Sequence, residues 1–199
     1  MTPWRPVLFC WFGSHTDPAE ILSQKQSLWF NATAREDERV AEELGELHRR
    51  ACLGELDGWA NDPVGRLALI ILLDQVSRQL YRGSASAYSQ DGKALMLARD
   101  GIAQGMDQQI PPLQRLFFYL PFEHSENLSD QQQSLTLFRY LRQQGEAQYP
   151  NLAEAFEQFE QFAQQHYQDI LNFGRFPYRN AALGRANSPR EAEHFDTGN

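Results

Sequence analysis

Helix-start signals recur along this chain, and strand signals are nearly absent. Asp17-Pro18-Ala19-Glu20 reads as N-cap, first-turn proline and N3 glutamate. It predicts a helix to about Phe30, with Ile21, Leu22, Leu28 and Trp29 turned inward. A second helix is expected over 36–53, where Val40, Leu44, Leu47 and Ala51 recur at helical spacing and Gly54 follows as a stop. Asp62-Pro63 opens a third, Asp91 caps a fourth ending near Gly105, and Pro111-Pro112 open a fifth that Pro121 halts. Ser129-Asp130-Gln131-Gln132 reads as a capping box for a sixth, closing at Gly145. A seventh follows Pro150 and runs to about Phe173 before Gly174, and Ser188-Pro189-Arg190-Glu191 is the capping box of a short last helix.

The centre of the third helix, LALIILL (67–73), is apolar all round. A buried strand competes with a buried helix there. The helix is preferred because the pattern continues through DQVSRQLYR to Gly83 with no turn signal. Links between the helices are short, so sequential neighbours should pack antiparallel. The expectation is an all-α single domain over 1–199, a stack of antiparallel helical hairpins with about seven to eight helices, frayed from about residue 196.

Charge narrows the function. The net charge is −8 and the pI about 5.1, which argues against a general grip on nucleic acid or an anionic membrane. No stretch approaches a membrane span. The N-terminal MTPWRPVLFCWFG lacks the longer apolar region and small-residue cleavage site of a secretory signal, and Cys10 and Cys52 are read as buried thiols. A reducing, cytoplasmic setting is expected. Of the 18 basic residues 16 are Arg; only Lys25 and Lys93 are Lys. Arg offers a planar fork suited to carboxylate or phosphate.

Three stretches set charge beside apolar and helix-breaking residues. In LDQVSRQLYRG (73–83), Asp74 and Arg78 share one face of the most hydrophobic helix, and Arg82 sits at its end. The first two read either as an internal ion pair or as part of a site. In FFYLPFEHSE (117–126), Pro121 should leave Glu123, His124 and Glu126 on a loop. His124 flanked by carboxylates has its charged form favoured and suits a general acid or base oriented by Glu126. The same two are alternatively metal ligands, though no further cluster has ligand spacing; a hydrogen-bonded strut is the plainer role. In HYQDILNFGRFPYRN (166–180), His166 falls in the inward register. Gly174 reverses the chain, and Pro177 starts a new turn carrying Tyr178, Arg179 and Asn180. Free N–H groups of that turn, with Arg175 and Arg179 beside them, would suit an anion; an internal carboxylate such as Asp74 or Glu126 is the alternative occupant.

VLFCWFG, LALIILLDQVSRQLYRG, FFYLPFEHSE and FGRFPYRNAALGR, in this order, are similar to an uncharacterised bacterial family, a domain of unknown function with a TPR-like helical fold. The resemblance spans nearly the whole chain. It implies an all-helical TPR-like domain and no assigned reaction. Members typically read FGRFPHRN, whereas Tyr178 stands here in place of that histidine. The departure weakens any three-histidine metal site built from His124, His166 and position 178. Members also carry Phe-Pro after Asp-Gln; Val76-Ser77 stands here and leaves the helix unbroken.

Two functions compete. The first is a pocket for a small anionic ligand. Asp74, Arg78, Arg82, Arg175, Arg179, Asn180, His166 and Tyr178 would be ligand-binding, and His124 with Glu126 catalytic. The second is a TPR-like module that lays a peptide or protein partner in a groove between helices. No metal and no cofactor is expected, and oligomeric state is not legible.

Overall fold

The structure is a computed structural model that describes the backbone of residues 2–197 and the side chains of residues 2–193. The described residues are helical with short links and hold no strand. The order is α1 (Arg5–Phe12), α2 (Pro18–Phe30), α3 (Ala34–Cys52), α4 (Pro63–Ile70), α5 (Ser77–Leu80), α6 (Asp91–Ala103), α7 (Pro112–Glu123), α8 (Leu128–Gln148), α9 (Ala153–Phe173) and α10 (Pro189–Thr197). A π-helical turn, Ile71–Val76, joins α4 to α5 without a break. Single 3-10 turns include Ala85–Tyr88 and Pro177–Arg179.

Local signals place most boundaries. Asp17 Oδ1 accepts from Ala19 N–H at 2.9 Å, and Asp62 Oδ1 accepts from Val64 and Gly65 N–H at 2.9 and 3.0 Å. The box at Ser188 and Glu191 forms in both directions. Other expectations need correction. The apolar run after Arg5 is itself helix α1. Asn127, not Ser129, caps α8, and Asp130 instead meets Arg99 and Ser125. Asp91 lies in the first turn of α6, not at its cap. Cys10 is buried as expected, but Cys52 is only partly so. Asp196 and Thr197 continue α10, and Gly198 and Asn199, the end of the expected frayed tail, lie outside the described residues.

Pro121 does not end its helix. It lies inside α7, which runs on to Glu123, and His124 N–H closes the last turn on Leu120 O at 2.9 Å. Burial explains the override. Pro112, Leu113 and Arg115 through Glu123 are all buried, so tertiary packing outweighs the one hydrogen bond that proline forfeits. Glu123 and His124 are therefore held on a rigid helix end rather than a loop.

The α4–α5 rod is the axis of the core. Leu67 through Leu73 and Val76 are fully inaccessible. Each large aliphatic side chain buried this way stabilises by roughly 1.5–3 kcal/mol. Trp11, Phe12 and Trp29 pack edge-on around Phe117 at 4.9–5.7 Å. Around the rod, α7, α8 and α9 alternate in direction. Gln131 Nε2–H donates to Glu123 O at 2.6 Å, and further along Phe138 meets Tyr119, so α7 and α8 run antiparallel. Gly145 faces Phe156, and Arg142 reaches back to Glu160 at 3.4 Å, so α8 and α9 do likewise. No described helix is long and apolar enough to cross a membrane.

Candidate functional site

The rod buries a carboxylate in its π turn. Asp74 is wholly inaccessible, and a charge there must be matched. His124 Nδ1 lies 2.7 Å from Asp74 Oδ1, and Arg78 Nη1 lies 3.3 Å from the same oxygen. Gln75 Nε2 donates to the other oxygen. Arg78 also grips Asp91 with both forks, at 2.9 and 3.0 Å. Asp91 Oδ2 is 3.3 Å from Arg179 Nη1, and Arg179 Nη2 donates to the carbonyl of His124 at 3.0 Å. The links thus close a ring: His124, Asp74, Arg78, Asp91, Arg179 and back to His124. Arg179 is only 4 % exposed because its guanidinium is sandwiched between Tyr88 and Phe176, 4.6 and 4.5 Å from the ring centres.

Burial and pairing set the protons. Burial alone would push the Asp74 carboxyl up, but Arg78 and His124 outweigh it and hold the group well below the usual range. His124 goes the other way: burial, with Arg78 nearby, pushes it down to about 4 against the pull of Asp74. It is neutral near pH 7. With Asp74 ionised, the proton on Nδ1 is donated to it, which leaves Nε2 as an acceptor. Glu123, beside His124, is buried without a cation in contact. Burial and the Asp74 charge push it up to about 8. Its Oε1 is 3.2 Å from His166 Nδ1, while its Oε2 is buried with no hydrogen-bond partner among the described residues. His166 Nδ1 donates to Phe162 O at 2.9 Å, and burial lowers its pKa too.

These groups border a cavity of about 300 Å³. Gln75, Arg78, Glu123, His124 and His166 form its polar end. The remaining wall is Trp29, Phe30, Leu116, Leu120, Phe138, Phe159 and Phe162. Among the described residues no group of three or more His, Cys, Asp or Glu side chains is arranged to hold a metal ion.

Residues 7–199 match the family described as bacterial protein of unknown function (DUF924). The chain belongs to this family. A solved structure, that of the protein of unknown function ATU0120 from Agrobacterium tumefaciens, is similar to it with 31 % identity and a TM-score of 0.74. The likeness covers 91 % of this chain and 97 % of that one. No curated protein matches.

In this DUF924 chain the three singled-out stretches meet only in part. Asp74, Arg78, His124 and Arg179 share the ring, and His166 stands beside it, its imidazole centre 6.4 Å from that of His124. Tyr178 leans on Phe176 at the rim and is 52 % exposed. The others lie elsewhere. Arg82 pairs with Asp37 on the surface and is 59 % exposed. Arg175 turns to the C-terminal segment, where it holds Glu191 and Ala186 O. Glu126 does not orient His124: it binds Arg185 with both oxygens and accepts from Phe176 N–H at 2.8 Å. Asn180 serves the same clamp, bonded to Arg185 and Asn187. The turn at Pro177 is one 3-10 turn in which the Arg179 and Asn180 N–H groups are spent on Phe176 O and Pro177 O rather than free for an anion. His124 is depressed, not raised, because burial outweighs its neighbouring acids.

Three residues around the ring, Gln75, Tyr88 and Asp91, were not assigned to a site from sequence, and Glu123 was named only as a neighbour of His124. Asp91 looked like a helix cap, and nothing in the sequence drew attention to Tyr88. Glu123 had a signal, an acid abutting a histidine at the end of an apolar run, but Pro121 placed it on a loop.

Proposed function

We propose that the protein binds a small molecule in this cavity with its anionic head at Arg78, His124, His166 and Glu123, and that His124 moves a proton to or from it. The observation that carries this reading is His124, held by the buried Asp74, on the wall of a cavity lined for the most part by apolar side chains. A carboxylate on Nδ1 fixes the tautomer and aims a basic Nε2 away from itself. A neutral imidazole near pH 7 is ready to accept a proton. Among the described residues no hydroxyl or thiol side chain lines the cavity, and proton transfer is the role that the His124 imidazole is suited to there.

The test is thermal shift with a panel of small carboxylates and phosphates on wild type and on Leu120→Trp, which fills the apolar half. Stabilisation of wild type alone is expected. If no compound raises the melting temperature, the reading fails. A protein-binding module draws support from Phe30 and Phe162, which are 42 % and 43 % exposed at the cavity mouth. The paired, buried charge behind that mouth favours the small ligand.

A further inference from the structure

Resting on that reading, we propose that the ligand is a monocarboxylic acid with an elongated apolar body, bound head-first and taken up together with one proton. Three observations lead there.

The first is the layout. The polar lining groups sit together, Glu123 on His166 and Gln75, Arg78 and His124 around Asp74, and aromatic and aliphatic side chains make up the rest of the wall. Phe30, Phe159 and Phe162 also line an adjoining groove of about 440 Å³ between α2 and α9. A chain that enters the cavity through this mouth keeps its far end in the groove. Phosphate or acetate would leave the apolar wall unfilled, and the favourable burial that wall offers would go unused.

The second is the charge balance. Arg78 is matched by Asp74 and Asp91, and Arg179 is matched by Asp91 and the carbonyl of His124. Two cations already face two carboxylates. A bare anion added here would be an unmatched buried charge, and a dianion two of them. An acid that brings a proton adds none.

The third is the hydrogen-bond inventory. Glu123 Oε2 is buried and unpartnered, and protonated Glu123 is a donor seeking an acceptor. His124 Nε2, with Nδ1 committed to Asp74, is an acceptor seeking a proton. A carboxyl group supplies both, a carbonyl oxygen and an O–H, on one carbon. Transfer of the O–H proton to Nε2 gives a carboxylate beside an imidazolium that Asp74 already flanks; no other bond forms or breaks. The groups facing His124 from the surrounding elements are Asp74, Gln75 and Arg78 on the rod, Glu123 on α7, His166 on α9, Asp91 on α6 and Arg179 from the last turn. Of these cations, the two arginines are the ones already matched.

The experiment is calorimetric titration of the full chain with hexanoate, octanoate, dodecanoate, octanol, acetate and inorganic phosphate. It is run at pH 7 in two buffers of different ionisation enthalpy, and again at pH 8. Octanoate is expected to bind with uptake of about one proton and to weaken about tenfold from pH 7 to pH 8. Octanol, acetate and phosphate are expected to bind at least tenfold more weakly. Phe162→Asp puts a charge at the exposed mouth and should weaken octanoate tenfold or more while the melting temperature stays level. Octanoate binding without proton uptake overturns the inference, as does octanoate affinity unchanged in Phe162→Asp. If acetate or phosphate binds as well as octanoate, the cavity reading stands and this inference falls. If nothing binds, both fall.

Discussion

His124 Nδ1 and Asp74 Oδ1 are 2.7 Å apart across fifty residues of sequence, and Asp74 has no access to water. The contact ties the end of α7 to the π turn of the central rod. It neutralises nothing, because the imidazole is uncharged near pH 7; the charge on Asp74 is answered by Arg78.

Asp74→Asn supplies one acceptor oxygen where Asp74 supplies two, and it leaves Arg78 short of a counter-charge. Breaking a buried pair by removing one partner is strongly destabilising. Asp91 still holds Arg78, so the expected loss is about 3 kcal/mol in chemical denaturation. Nitrogen-15 spectra should show the His124 proton no longer confined to Nδ1.

Glu123 sets the alkaline side of the stability profile. The unfolded chain releases its proton near the ordinary 4.5, whereas the folded protein keeps it to about 8. Stability is therefore lost as pH rises through this interval. His124 opposes it, but only between about 4 and 6.5, where the unfolded chain still binds a proton that the folded one has shed. From pH 6.5 to 8 Glu123 acts with no such opposition, and at 1.36 kcal/mol per unit the decline is about 2 kcal/mol. Wild type should lose melting temperature over that range while Glu123→Gln stays level. Equal slopes for the two proteins would refute the assignment.

Two arginines of the conspicuous stretches should behave in opposite ways. Arg179 is buried between two aromatic rings and bonded to Asp91 and His124 O. Arg179→Ala leaves Asp91 with Arg78 alone, deprives His124 O of its donor and empties the stack, at a cost of about 3 kcal/mol. Arg179→Lys should recover little, since an ammonium cannot fill the sandwich or fork. Arg82→Ala removes an exposed pair with Asp37 and should cost under about 1 kcal/mol. Urea midpoints of the three variants check this ordering.

Two helix-interior glycines give a further contrast. A Cβ on Gly45 of α3 would meet nothing within 4 Å, so Gly45→Ala should stabilise by about 0.5–1 kcal/mol. A Cβ on Gly145 of α8 would lie 2.5 Å from the ring of Phe156, itself buried. Gly145→Ala should destabilise by about 1–3 kcal/mol, read as a lowered melting temperature.

Helix positions were readable because their starts are local: Asp17, Asp62 and Ser188 cap from within three residues. Pro121 misled because its cost is local while the burial that overrides it comes from neighbouring helices. The same split runs through the site. Asp74 and Arg78 are on one helix, so their pairing follows from spacing. Arg175 and Arg179 have the same spacing, but Gly174 at φ 70° and the Pro177 turn break the helix around them, and they diverge. Asp91 and Glu191 are distant acids that choose between those arginines, and nothing in their own surroundings announces it.

The widened turn Ile71–Val76 holds one residue more than regular coil needs to sweep the same arc. An ordinary α-helix advances about 100° per residue, and a turn closed five residues back advances roughly 80°. Six residues at the wider pitch therefore turn the chain about as far as five at the regular one. Loss of one apolar residue from this segment, Ile71 or Leu72, would let the coil tighten and leave the fork that clasps Asp91 at nearly its present angle. The same loss from the regular coil of α4 would carry that fork round the axis by about 100°.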